Sequence, residues 1–344
     1  MKKIFISLLA VAALAACSKS DIAYDNDQVE IGLAPVPHNI TKSVAGVEDA
    51  IFPTDLDLYV FANTQDDDVD ADGNLLDEWP SEYLNNAKFV YDRLGSNGVY
   101  EGATPRYWPN VKSLIFAGYS NACNIDDIAE DSTVDFDENE VKIYGYIQDN
   151  TASALGKNDL MWFPWNGSSY TKQSTAIPAV MQHACSWITV KVLRDANTTD
   201  ESWTLKGLKI NGLYHTGDAT CGEDAATWDV YGDTAAEALY TSTAALGTTA
   251  EVYEDVDENM VVIPQVPTSI DVTYSYIPQE GVAAVTETVK GLDLKIVSDP
   301  KSEDNIWESG KHYTYTIKIT ATEILIAPEV DGWDPVTVTP GIEF

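Results

Sequence analysis

The residue in this chain best placed to undergo chemistry is Cys17. Leu14-Ala15-Ala16 set small residues directly ahead of its thiol, and Lys2 and Lys3 make a basic start. Between them, residues 4–16 form an apolar run too short to span a bilayer as a stable anchor. That order is the pattern of a bacterial lipoprotein signal, in which the Cys17 thiol is acylated and cleavage leaves it as the first residue. An ordinary secretory peptide that ends in cysteine is the plainer alternative. Several acyl chains on one cysteine hold a protein at a membrane far better than the single chain that binds reversibly. An exported, lipid-tethered protein is expected.

Two further stretches carry residue types that bind ligands. In Asp66-Asp67-Asp68-Val69-Asp70-Ala71-Asp72-Gly73, the carboxylates of Asp68, Asp70 and Asp72 stand at alternate positions before a glycine, as at the start of a calcium loop. The twelfth position from Asp68 is Trp79 where a bidentate glutamate belongs, so a solvated acidic hairpin loop accounts for the run as well. Trp162-Phe163-Pro164-Trp165 with Tyr170 could stack on sugar rings, although aromatics this dense in a strand-rich chain also fill cores and domain interfaces. Catalysis finds no footing. His38, His183, His215 and His312 are dispersed without metal-ligand spacing, and His183 reads as a packing histidine on a strand. No P-loop, Gly-x-Ser-x-Gly or His-Glu-x-x-His motif occurs. No enzyme activity and no cofactor are expected, calcium at the aspartate run apart.

Composition narrows the partners. The chain has 344 residues, 55 acidic and 20 basic, for a formal charge of −35. Loss of the two lysines in residues 1–16 takes it to about −37, which repels nucleic acid and anionic headgroups. A hydrophobic fraction of 44% with nine tryptophans can build real cores. After acylation, Cys123, Cys185 and Cys221 remain, an odd number that permits at most one bridge. Buried thiols are expected.

The elements that must position these residues read as strands. Leu56, Leu58 and Val60 alternate with Asp57, Tyr59 and Phe61. Similar runs rich in Thr, Val, Ile and Tyr cover 111–119, 141–147, 187–193, 205–210, 270–277, 292–297 and 313–319. Asn97-Gly98 and Asn211-Gly212 read as turns. Helical signal is confined to 125–130 and 235–240. Short strands without helical crossovers predict antiparallel β-sandwiches. A seam near 165–180, at Asn166-Gly167-Ser168-Ser169 and Pro178, divides the chain in two.

These landmarks, in this order, resemble the fimbrillin family of Bacteroidetes, the subunits of type V pili. The lipoprotein cysteine is followed by Ile40-Thr41-Lys42-Ser43, then by Leu56-Asp57-Leu58-Tyr59-Val60. Tyr107-Trp108-Pro109 leads into Leu114-Ile115-Phe116-Ala117-Gly118-Tyr119, and Asp159-Leu160-Met161-Trp162 precedes Gln182-His183-Ala184-Cys185-Ser186-Trp187. Val262-Ile263-Pro264-Gln265, Trp307, Tyr313-Thr314-Tyr315 and Trp333 complete the set. The resemblance implies an all-β fold of two tandem transthyretin-like sandwiches with few short helices. It also implies removal of an N-terminal strand by proteolysis, then polymerisation by strand donation between subunits. The organisation expected is a signal peptide over 1–16, a lipidated propeptide strand over 17–42, an N-terminal sandwich over 43–176 and a C-terminal sandwich over 177–344. The cut would fall at Lys42-Ser43. Family members processed by an arginine-specific protease carry arginine there, so this chain implies a different protease or an uncut anchoring subunit.

Both ends of the chain suit that mechanism on their own chemistry. Val29, Ile31 and Leu33 fall on one side of an extended segment, with Gln28, Glu30 and Gly32 on the other. In residues 336–344, Val336, Val338, Pro340, Ile342 and Phe344 alternate with Thr337, Thr339, Gly341 and Glu343. Burying Val336, Val338, Ile342 and Phe344 at roughly 1.5–3 kcal/mol each gives on the order of 6–12 kcal/mol before ordering costs. Such a joint rivals the stability of a domain. A head-to-tail contact of this kind makes open filaments. The expected partners are therefore other pilus subunits, the outer membrane through the anchor before processing, and host or bacterial surface ligands. The alternative from another class is a monomeric surface lipoprotein, or a tip adhesin, that binds glycans or host molecules through exposed aromatics.

Overall fold

The computed structural model describes residues 28–37, 56–65, 82–91, 93–94, 99–109, 113–120, 134–137, 140–148, 159–165, 167–196, 203–253, 260–294, 306–320 and 323–332. Every element among them is a strand, so the chain is all-β. Seven strands close into a barrel: β1 (Gly32–Pro37), β2 (Leu58–Gln65), β3 (Glu82–Tyr91), β4 (Tyr100–Gly102), β5 (Ser113–Ser120), β8 (Met161–Phe163) and β9 (Ile177–His183). Their order around the barrel is β1-β4-β3-β2-β5-β8-β9, and β9 returns to β1. The alternation expected near residue 56 holds: Leu58, Val60 and Ala62 point into the barrel with Leu84, Phe89, Leu114 and Phe116. Closure leaves the barrel without an open edge.

A four-stranded sheet packs on the outside of this barrel. It consists of β6 (Val134–Asp137), β7 (Glu140–Ile147), β12 (Thr216–Cys221) and β13 (Ala226–Tyr231), with β7 beside β12. Its inner face, with Val141, Ile143, Tyr146, Ala219 and Cys221, meets Phe61, Ala117, Tyr119 and Trp162 from the barrel wall. Strands from either side of residue 176 therefore share one sheet, and β9 completes the barrel although it follows the seam.

The remaining strands form two facing five-stranded sheets. One contains β10 (Ser186–Arg194), β16 (Glu251–Val252), β17 (Met260–Val262), β20 (Lys311–Ile319) and β21 (Ile324–Gly332). The other contains β11 (Thr204–Leu213), β14 (Ala235–Tyr240), β15 (Ala244–Ala245), β18 (Ser269–Tyr276) and β19 (Val285–Asp293). Ile188, Val190 and Val192 from the first sheet interdigitate with Leu205, Leu208, Ile270 and Val272 from the second, around the buried Trp307. Trp307 Nε1 donates to Tyr315 Oη at 2.8 Å, and that hydroxyl donates to the Leu294 carbonyl at 2.9 Å. Both polar tips inside this core are thus satisfied, as burial demands.

Two local expectations give way to the surroundings. Residues 235–240 carry helical propensity, yet they form β14, because pairing with β11 outweighs a preference worth tenths of a kcal/mol per residue. Asn211-Gly212 does not reverse the chain. It lies inside β11 as an irregularity, with Gly212 at φ +73° and the Asn211 amide donating to Asp271 Oδ1 at 3.0 Å. The strand expected over 292–297 is the end of β19, which stops at Asp293 within the described residues. The second helical stretch, 125–130, and the Asn97-Gly98 turn lie outside the described residues.

Candidate functional site: the seat of the first strand

β1 comes from the segment expected to be a removable leader, and it is the strand through which the barrel closes. On one side Leu33 pairs with Tyr100 and Gly32 with Glu101, antiparallel. On the other side five residues, Leu33 to Pro37, pair with Ile177 to Met181, in parallel. Just upstream, Ile31 N–H donates to the Arg106 carbonyl at 2.7 Å, and the Val29 carbonyl accepts from Trp108 N–H at 2.9 Å. The Tyr107-Trp108-Pro109 landmark thus serves as part of the wall that receives the first strand.

The alternation read from the sequence is realised here. Ile31 and Leu33 are fully buried, with Val29 packed against the same core, whereas Glu30 and Gly32 are only partly covered. Tyr100, Trp108, Ile177, Ala179 and Met181 line the inside of the seat. Burying Ile31 and Leu33 is worth about 3–6 kcal/mol, and the ladder bonds to both neighbours add to it. Removal of β1 would expose this apolar slot together with two strand edges.

Charge marks the outer face of the seat. The Arg93 guanidinium forms an ion pair with Glu30, and both side chains are largely covered. The Arg93 backbone N–H also donates to the buried Glu101 carboxylate at 2.9 Å. Gly32 faces a tight wall, since a Cβ added there would come 2.9 Å from Val99 Cγ1. Sequence reasoning did not single out Arg93 or Gly32. The signals were present in a glycine interrupting an alternating segment and in an arginine within a chain where arginine is rare.

The other candidates distribute differently. Cys17, Lys42, Ser43, Asp68, Asp70, Asp72, Val336, Val338, Ile342 and Phe344 all lie outside the described residues. No group of three or more His, Cys, Asp or Glu among the described residues is arranged to hold a metal. Trp162 and Phe163 are core residues, and Trp162 Nε1 donates to the Gly222 carbonyl at 2.9 Å. Tyr170 stacks edgewise on Phe116 at 6.2 Å beside a shallow cavity of about 230 Å3 that Pro178, Gln182, Glu223 and Asp224 also line. His183 is buried at the end of β9 with Nδ1 2.6 Å from Asp159 Oδ2, the packing position that its strand placement suggested. Cys185 and Cys221 are buried thiols, and burial pushes the Cys221 thiol far up, which keeps it unreactive.

The described strands thus form a barrel that β1 closes and a β-sandwich beside it. The family profile of the fimbrillin-like proteins matches residues 48–333. The chain belongs to the fimbrillin-like family, and it is not an enzyme. Among solved structures it is similar to a fimbrial protein from Bacteroides vulgatus, at 15% identity over 88% of this chain and 99% of that one, with a TM-score of 0.59. A candidate cell adhesion protein from Bacteroides uniformis aligns at 17% identity over 89% and 99%, with a TM-score of 0.47. At such identities the first likeness is one of fold. No curated protein matches the chain.

Proposed function

We propose that this protein is the precursor of a pilus subunit that reaches the cell surface as an outer-membrane lipoprotein acylated at Cys17. Proteolysis at Lys42-Ser43 releases residues 17–42 and with them β1. The vacated seat then accepts residues 334–344 of another subunit, through Val336, Val338, Ile342 and Phe344. Repetition builds a head-to-tail fibre that supports cell adhesion.

The observation that carries this reading is the position of β1. It supplies core side chains and both ladders at the closure of the barrel, although it comes from the leader. A strand seated in this way covers two edges that would otherwise template association, so the uncut precursor stays monomeric. An incoming strand can pair with both uncovered edges, with alternate side chains reading the slot. Membership in the fimbrillin-like family supports assembly with other pilus subunits.

Deleting residues 335–344 tests the proposal in cells that make the polymer. The expected result is loss of polymer ladders while the monomer is still folded and exported. Unchanged ladders, or a monomer that no longer folds, would overturn it.

A further inference from the structure

The seat of β1 contains two features that a replacement strand must satisfy, and their spacing reads the strand. Arg93 holds a carboxylate at position 30, and a Cβ at position 32 would crowd Val99 Cγ1 at 2.9 Å. Between them, Ile31 fills the core. The seat therefore selects acid, apolar residue and glycine in succession, in the order Glu30-Ile31-Gly32. Within residues 336–344 the same triplet occurs once, in reverse, as Gly341-Ile342-Glu343, and Glu343 is the only charged residue of that stretch.

Resting on the polymerisation reading above, we infer that Arg93 and the Gly32 wall set both the register and the polarity of the strand donated by a second copy of this chain. The donated strand runs opposite to β1, with Glu343 on Arg93, Ile342 in the place of Ile31 and Gly341 in the place of Gly32. Laid in the same direction as β1 with Gly341 at the glycine position, the segment would carry Glu343 to the position of Ala34, away from Arg93. Such a register leaves a largely covered guanidinium without its carboxylate, which is costly.

The test uses the purified full-length chain with a site for a sequence-specific protease in place of residues 40–43, and polymerisation is followed after cutting. Glu343→Lys alone, and the pair Arg93→Glu with Glu30→Lys, which keeps the leader's ion pair, are each expected to slow polymerisation by roughly tenfold or more through like-charge contact. Combining all three substitutions restores the rate. Wild-type rates in the separate variants, or no recovery in the combination, would overturn the inference while leaving polymerisation intact. Failure of the cut wild-type chain to polymerise would instead overturn the reading beneath it. Glu343→Lys changes no residue of the described barrel strands, so it reports even where the paired variant folds poorly. Polarity has its own readout in disulfide trapping across β9. Thr339→Cys should cross-link to Pro178→Cys of the neighbouring subunit; cross-linking by Glu343→Cys in its place would contradict the reversed strand.

Discussion

Leu33 lies opposite Ile177 in parallel register, with both side chains buried in the barrel core. Residues far apart in sequence, one from the leader and one from the strand that completes the barrel, thus share a single packing interface. The leader is as much a part of this barrel as any strand that would remain after processing. Under the proposed processing, its loss would leave a slot rather than a frayed end.

Weakening that interface should loosen the precursor without any protease. Leu33→Ala removes buried methyl groups and leaves a cavity, a change expected to cost about 2–5 kcal/mol. Urea unfolding of the uncut chain should show a lower midpoint with an unchanged slope. Size-exclusion chromatography should show oligomers without cleavage. A monomer of unaltered stability would mean that Leu33 is not needed to hold β1.

Gly118 stands in the Phe116-Ala117-Gly118-Tyr119 landmark for a steric reason. A Cβ at this position would lie 2.4 Å from the Tyr59 carbonyl oxygen and 2.6 Å from Phe163 Cε1. Both neighbours belong to strands that pair with β5, so neither can retreat cheaply. Gly118→Ala should lose about 1–3 kcal/mol or more through overpacking, measured by thermal or denaturant unfolding. A neutral result would show that β2 and β8 can part at this point.

Alkaline pH should unfold the sandwich half of the chain through its tyrosines. Burial pushes the Tyr313 phenol up to about 12 and raises Tyr315 in the same direction. Tyr274 also rises to about 12, through burial and then its hydrogen bond to Glu287. A phenol whose folded pKa exceeds the unfolded value of 10.0 contributes its full stability below that value. The contribution is lost as pH climbs from about 10 toward about 12, because the unfolded chain releases the proton first. Melting temperatures should be flat with respect to these groups up to about pH 9 and should fall steeply above about pH 10. Tyr313→Phe should shallow that fall.

Much of this architecture was legible because alternation is a local signal. The runs at 141–147, 187–193 and 313–319 each became a strand within a residue or two of the expected bounds. Val29, Ile31 and Leu33 likewise revealed their inward face. Pairing partners were not legible, since nothing local in β7 states that it will lie beside β12 across the seam. Residues 235–240 misled for the same reason, because their strand identity is imposed by β11. The ion pair of Arg93 with Glu30 joins residues 63 apart, and only the closed barrel brings them together. The aromatic run at 162–165 showed its residue types but not its direction, and Trp162 and Phe163 turned into the core.

The mass of subunits recovered from surface-sheared polymer tests the central claim most directly. Subunits that begin at Ser43, with no trace of residues 17–42, are the result expected when another copy has taken the seat of β1. Polymer whose subunits still carry residues 28–37 would contradict it.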